Sequence, residues 1–213
     1  RLGVSRPSLR EAISTLQIRG LLTTKANAGV FVAELLGAPF SPSLTELFST
    51  HDEAVFDYIS FRSDLEGMAA ERVANLGSET DLKVIQAIFD KMKVAHDNKN
   101  SSEEASLDAQ FHMAIIEASH NVFLLHMVRS MFEMLKKGIF YNRQVMFSRH
   151  TTRGTLLEQH RSICNAIQNR NAKGARKAIE DHMDFIKTCM QEVKKAEANE
   201  EIAKLRLDHT TTS

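Results

Sequence analysis

The chain has 213 residues but only three prolines, two cysteines and no long apolar run, and each scarcity removes a class of structure. Pro7, Pro39 and Pro42 all lie in the first fifth, so nothing beyond Pro42 forces a break in a helix. Cys164 and Cys189 lack CxxC spacing. Each falls on the apolar stripe of an expected helix, the pattern of buried reduced thiols rather than of redox chemistry. No stretch approaches the ~18 apolar residues of a membrane span, and no charged-then-apolar export signal is present. The expectation is no membrane partner and a cytoplasmic location. Internal repeats, a phosphate-binding glycine loop and a Ser/His/Asp pattern are missing as well.

An excess of either charge is lacking too, since Lys and Arg number 27 and so do Asp and Glu. The balance conceals an asymmetry: residues 1–34 hold five basic and two acidic side chains, and residues 35–213 hold 22 and 25. Only the N-terminal tip has the sign that phosphates attract. With 43% hydrophobic residues the remainder is long enough to bury a sizeable core. Gly37-Ala38-Pro39-Phe40-Ser41-Pro42-Ser43 is turn-rich and aperiodic. The expected organisation is a head at 1–34, a linker at 35–50 and a helical body at 51–213.

In the head, Ser5 suits an N-cap, Pro7 a first helical turn and Gly20 the left-handed residue after a helix, which predicts a helix over about 6–19. Leu9, Ala12, Ile13 and Leu16 are spaced to face a core, turning Arg6, Arg10, Ser14 and Gln17 outward. Leu22/Thr24 and Val30/Val32 then alternate about Ala26-Asn27-Ala28-Gly29, the pattern of a two-stranded hairpin. Helix followed by hairpin is the second half of a winged helix. Two arginines in the first turns suit a recognition helix in the major groove of double-stranded DNA, where Arg reads guanine. Ser5 would serve a phosphate or base edge, and Lys25, Asn27 and Gly29 a wing tip. The competing reading, that Arg6 and Arg10 merely solvate a surface helix, is weakened by the order of cap, Arg-Pro, Arg, glycine stop and wing.

In the body, apolar residues recur at helical spacing through Val55–Val73, Leu82–Met92, Leu107–Ala118, Leu124–Leu135, Leu156–Ile167 and Ile179–Val193. Six helices are expected, with breaks near Gly77-Ser78, Asn98–Ser102, His120-Asn121, Ser148-Arg149 and Asn171–Gly174. The Lys194–Ser213 stretch is charged and then Thr-rich, so its end is expected to fray. Asp108 and His112 stand four apart on one helix, while His160 and His182 sit on the inward stripes of two others. One inward histidine is commonly a satisfied core residue. Three with a carboxylate suit a divalent transition metal, with zinc first and nickel, iron or manganese as alternatives. Asp108 could instead orient a ligand from behind, and His126 is a reserve ligand.

The segment Leu2-Gly3-Val4-Ser5-Arg6-Pro7-Ser8-Leu9-Arg10-Glu11-Ala12, with Leu16 and Gly20-Leu21-Leu22, resembles the recognition segment of GntR-type transcription regulators. The resemblance implies that Ser5, Arg6 and Arg10 meet DNA and that the Asn27–Gly29 wing enters the minor groove. Such domains carry two further helices ahead of the recognition helix, so DNA contacts are also expected upstream of Arg1. Phe61-Arg62-x-x-Leu65-Glu66-Gly67, Asp108-x-x-Phe111-His112, Glu158-Gln159-His160 and Asp181-His182 resemble the all-helical FCD effector domain of the FadR subfamily over about residues 51–195. What this implies is that Asp108, His112, His160 and His182 bind metal, a small carboxylate effector completes the coordination, and Arg62 pairs with that carboxylate. An ion pair of Arg62 with Glu66 one turn on is the alternative. The stretches at 122–130 and 140–143 resemble regulators of lactate, pyruvate or related acids, which makes Arg129, Asn142 and Arg143 either effector contacts or surface residues.

The leading expectation is a homodimeric, metabolite-responsive regulator, a repressor by the habit of the subfamily, that binds a two-fold symmetric operator. The rival is a metalloenzyme, a hydrolase or oxidase in a helical bundle. A di-iron site would need two Glu-x-x-His motifs, and only Glu117-x-x-His120 is present. A purely structural metal is the third possibility.

Overall fold

The computed structural model describes residues 3–25, 29–33, 51, 53–136 and 150–211. Among them the order is α1 (Arg6–Ile18), β1 (Leu22–Lys25), β2 (Gly29–Val32), α2 (Ala54–Leu76), α3 (Glu79–Asp97), α4 (Ser101–Ala118), α5 (Val122–Lys136), α6 (His150–Gln168) and α7 (Ala172–Thr211). The chain is mainly α, with a recognition-type helix and hairpin ahead of six further described helices. Asn27, the 35–50 linker, Asn142, Arg143 and the break at Ser148-Arg149 lie outside the described residues.

Helix α1 begins and ends on the expected residues. The Ser5 hydroxyl accepts the Ser8 N–H at 3.3 Å, and Gly20, at φ 71°, closes the C-terminus by donating to the Gln17 carbonyl at 2.9 Å. Strands β1 and β2 pair antiparallel, Leu22 opposite Val32 and Lys25 opposite Gly29. The Gln17 side chain donates to the Thr24 hydroxyl and ties helix to hairpin. The expected core face of α1 is not buried: Leu9 is 38% and Leu16 36% exposed, and the helix holds no buried residue. Among the described residues the element packed on it is β1, and a single hairpin strand covers too little of the stripe to exclude water.

In the body, α2 lies along α7, α4 packs on α2 and α3, and α6 packs on α7 and α3. The helices share one core, including Ile59, Val73, Ile85, Phe111, Ile115, Ile163, Ile167 and Ile179, none more than 1% exposed. Burying each such side chain contributes about 1.5–3 kcal/mol. Cys164 and Cys189 are buried and form no disulfide, as expected.

The turns are set by local chemistry. Ser78 and Asp81 form a reciprocal capping box for α3, and Asn100 caps α4. Where glycine would ordinarily follow a helix, this chain places Lys99 (φ 54°), His120 (φ 51°) and Arg170 (φ 55°) in the left-handed region. His120 is held there by Asp81 at 2.9 Å, and Arg170 donates to the Gly77 carbonyl and to Glu79. Helix α7 continues past Lys194 to Thr211, and the last two residues, 212 and 213, lie outside the described residues. Residues 195–210 are exposed, but Ala, Glu, Lys and Leu are strong helix formers, so a charged run here means a solvated helix. No described helix is long and apolar enough to cross a membrane.

Candidate functional site

Three helices deliver the four candidate ligands to one point. Helix α4 presents Asp108 and His112 one turn apart, α6 presents His160 and α7 presents His182. Each of the four offers a ligand atom within 4.8 Å of every other. The three imidazoles are 0% exposed and Asp108 is 4% exposed. His160 Nε2 lies 3.0 Å from Asp108 Oδ1 and 3.3 Å from His112 Nε2, and His112 Nε2 lies 3.6 Å from Asp108 Oδ1. The Phe111 ring stands edge-on to both His112 and His160, at centroid distances of 5.9 and 5.3 Å, and walls one side.

The far nitrogen of every ring is anchored. His160 Nδ1 donates to the Leu156 carbonyl at 2.6 Å, and His182 Nδ1 donates to Gln159 Oε1 at 3.0 Å. His112 Nδ1 sits 2.6 Å from Glu66 Oε2, a close charged contact although bent away from ideal hydrogen-bond geometry. Anchoring Nδ1–H leaves the Nε2 lone pair facing inward, the arrangement that second-layer partners impose on metal-bound histidine. His182 Nε2 is buried with no hydrogen-bond partner among the described residues. An orphaned buried acceptor is costly unless something ligates it, so the donor set fits a divalent cation.

Electrostatics set the rings apart. Burial by itself would raise the Glu66 carboxyl, but Arg62 and His112 outweigh it and hold it at about 2. Burial pulls His112 down, yet the Glu66 and Asp108 carboxylates reverse the direction and raise it. His182 is pushed well below its ordinary value, by burial first and then by His160 and His112, and is a neutral imidazole.

Arg62 is buried with its Nε 2.6 Å from Glu66 Oε1, the ion-pair alternative of the sequence reading. His126, half-buried on α5, is not in the ligand cluster. Glu66 as the partner of His112, and Gln159 and the Leu156 carbonyl as anchors, were not singled out in the sequence. Arg129 is exposed and pairs with Glu117 at 2.6 Å. In the head, Ser5, Arg6, Arg10, Lys25 and Gly29 are exposed, with Lys25 Nζ 5.4 Å from the Phe31 ring centroid. Ser5 also spends its hydroxyl on the helix cap.

Space beside the quartet is small. The cavity touching His160 holds about 10 Å³, roughly one water, while a cavity of about 270 Å³ lined by Met68, Arg72, Asn75 and Leu124 touches none of the four.

Residues 57–185 match the family model described as the FCD domain. The "Glc operon transcriptional activator" of Escherichia coli strain K12 is 32% identical over 196 residues, covering 91% of this chain and 77% of that protein. The "Putative L-lactate dehydrogenase operon regulatory protein" of the same organism is 31% identical, covering 90% and 74%. The "HTH-type transcriptional regulator LutR" of Bacillus subtilis strain 168 is 30% identical, covering 88% and 85%. Among solved structures, "Streptococcus agalactiae GntR" superposes with a TM-score of 0.59 at 21% identity, over 88% of this chain and 83% of that one, a likeness of fold.

Proposed function

Because the chain belongs to the FCD-domain family of GntR-type transcription regulators, which are DNA-binding regulators rather than enzymes, we propose that its body is a metal-dependent carboxylate sensor coupled to the arginine-bearing head. The observation that carries the proposal is the convergence of three imidazoles, each held at Nδ1, and one carboxylate oxygen, with His182 Nε2 otherwise unsatisfied. Asp108, His112, His160 and His182 would hold the cation, zinc first, with nickel, iron or manganese as competitors chosen by geometry and supply. When bound, the cation supplies an electrophilic centre that a carboxylate can ligate.

A charge count supports a small anion as the effector. Arg62 against Glu66 and Asp108 leaves one net negative charge at the site with neutral imidazoles, a divalent cation makes it one positive charge, and a monocarboxylate neutralises that. Lactate is the first compound to test, since one relative is named for a lactate dehydrogenase operon. In the head, Arg6 and Arg10 would read base edges, with Ser5 at phosphate and Lys25, Asn27 and Gly29 at the wing. A homodimer would place two heads on a two-fold symmetric operator, and a coupling of about 1–3 kcal/mol between the sites is enough for regulation. Repression is the sign expected from the sequence, but the Glc operon relative is named an activator, so a reporter fusion fixes the sign.

The test is metal analysis of the purified full-length protein, followed by gel shifts on operator DNA with lactate titrated in, before and after chelation. A chain that retains about one divalent cation and changes its DNA affinity only when cation and carboxylate are both present supports the reading. Specific DNA binding indifferent to both removes the sensing half.

A further inference from the structure

We propose that His96, Glu104 and Arg153 form a latch on the route by which a cation or small carboxylate reaches the buried quartet, an inference that rests on the metal reading above. The three residues come from different helices and converge on the Glu104 carboxylate. Arg153 Nε donates to Glu104 Oε2 at 2.7 Å and Arg153 Nη2 to Oε1 at 2.9 Å, while His96 Nδ1 lies 2.9 Å from the same Oε1. Arg153 Nη2 also donates to the His96 carbonyl at 2.9 Å, drawing the start of α6 onto the end of α3. Glu104 stands one turn before Asp108 on α4, so Glu104, Asp108 and His112 form one inward stripe leading from the latch to the ligands.

Burial is graded along this line. The side chains of His96, Arg153 and Glu104 are 27%, 11% and 4% exposed, and His160 behind them is fully buried. Between them lies the cavity of about 10 Å³, lined by the three latch residues, by Met92 and Leu157, and by His160. Among the described residues this layer separates solvent from a candidate ligand, and beside the apolar Met92 and Leu157 stands its hydrogen-bonded part. Opening it exchanges protein hydrogen bonds for water at groups that hydrate well, whereas opening an aliphatic wall exposes apolar surface with nothing in return. A carboxylate ligand also matches what Arg153 already grips, because the guanidinium fork that takes Glu104 takes any carboxylate. The cavity is too small for an effector, so admission on this side requires Glu104 or Arg153 to swing away.

The competing account is a static tie between three helices, and release kinetics separate the two. The full chain is loaded with zinc and mixed with excess chromogenic chelator, and zinc transfer is timed in wild type, Arg153→Ala, Glu104→Gln and Arg170→Ala. The last removes bonds to Gly77 and Glu79 remote from the quartet. Glu104→Gln keeps the volume and guards against a chain that fails to fold. Expected are release rates about tenfold faster in Arg153→Ala and Glu104→Gln, unchanged zinc stoichiometry, and wild-type release in Arg170→Ala. Rates within about twofold of wild type in both latch variants, with zinc still bound, overturn the latch alone. Equal acceleration in Arg170→Ala reduces it to general loosening and overturns it as well. A wild-type chain that binds no zinc overturns the metal reading and the latch together.

Discussion

Arg62→Met is the most informative single change. Arg62 and Glu66 are 3% and 1% exposed, and their charged atoms meet at 2.6 Å. Deleting the guanidinium leaves a buried carboxylate, otherwise held at about 2, facing His112 with its principal counter-charge gone. Removing one partner of a buried pair costs about 3–5 kcal/mol, a large share of the ~5–15 kcal/mol that holds a domain together. In a domain of this size each kcal/mol moves the melting temperature by roughly 2–4 °C, so a fall of about 6–20 °C is expected. The assay is paired thermal and urea unfolding of the full chain in chelator, for wild type, Arg62→Met, Glu66→Leu and the double variant. Removing both charges should recover much of the loss, since apolar replacements of a buried pair are often neutral. A loss below about 1 kcal/mol in Arg62→Met, or a double variant as unstable as the sum of the singles, refutes the reasoning. Near wild-type stability with a lost response to carboxylate would assign Arg62 to the effector instead.

Other outcomes follow from the same geometry. Excess zinc should raise the melting temperature of wild type, by about 2.7 kcal/mol of stability at a hundredfold excess over Kd, and His182→Ala should abolish that rise. Arg6→Ala and Arg10→Ala should each weaken specific DNA binding in gel shifts by about 1–3 kcal/mol while body melting stays unchanged; equal binding would return both to solvated surface. Lys99→Gly should stabilise by about 1 kcal/mol in urea titrations, because glycine accepts φ 54° without strain. Ser78→Ala should cost about 1 kcal/mol at neutral pH. The Ser78 hydrogen bond, with His120 behind it, holds the Asp81 carboxyl below its ordinary 3.8, so this part of stability is full above that value and fades as pH falls through the lowered one. The stability gap between Ser78→Ala and wild type should therefore narrow in acid.

What the sequence disclosed was what helical periodicity carries. Asp108 and His112 share a face because four residues make about one turn, and the apolar neighbours of His160 and His182 oriented them inward without any knowledge of packing. The anchors were harder to see. Gln159 directly precedes His160 and points to His182 on another helix, so its role depends on how α6 packs on α7. Glu66 was visible as a neighbour of Arg62 one turn away, but its second contact crosses to α4. The His96–Glu104–Arg153 cluster joins residues up to 57 apart, and no local pattern encodes it. Two features of the helices were less legible. Among the described residues the apolar stripe of α1 is covered only in part, by β1, and the charged run after Lys194 continues as helix to Thr211.

Helix α7 turns the chemistry at His182 into mechanics. The ring sits early in a 40-residue rod whose last stretch stands clear of the bundle, and the 29 residues from His182 to Thr211 span about 44 Å. A tilt of about 5° at the imidazole would carry the far tip by roughly 4 Å, from the rise per residue alone. A paired spin or fluorescent label at the tip would thus amplify a displacement too slight to resolve at the ring.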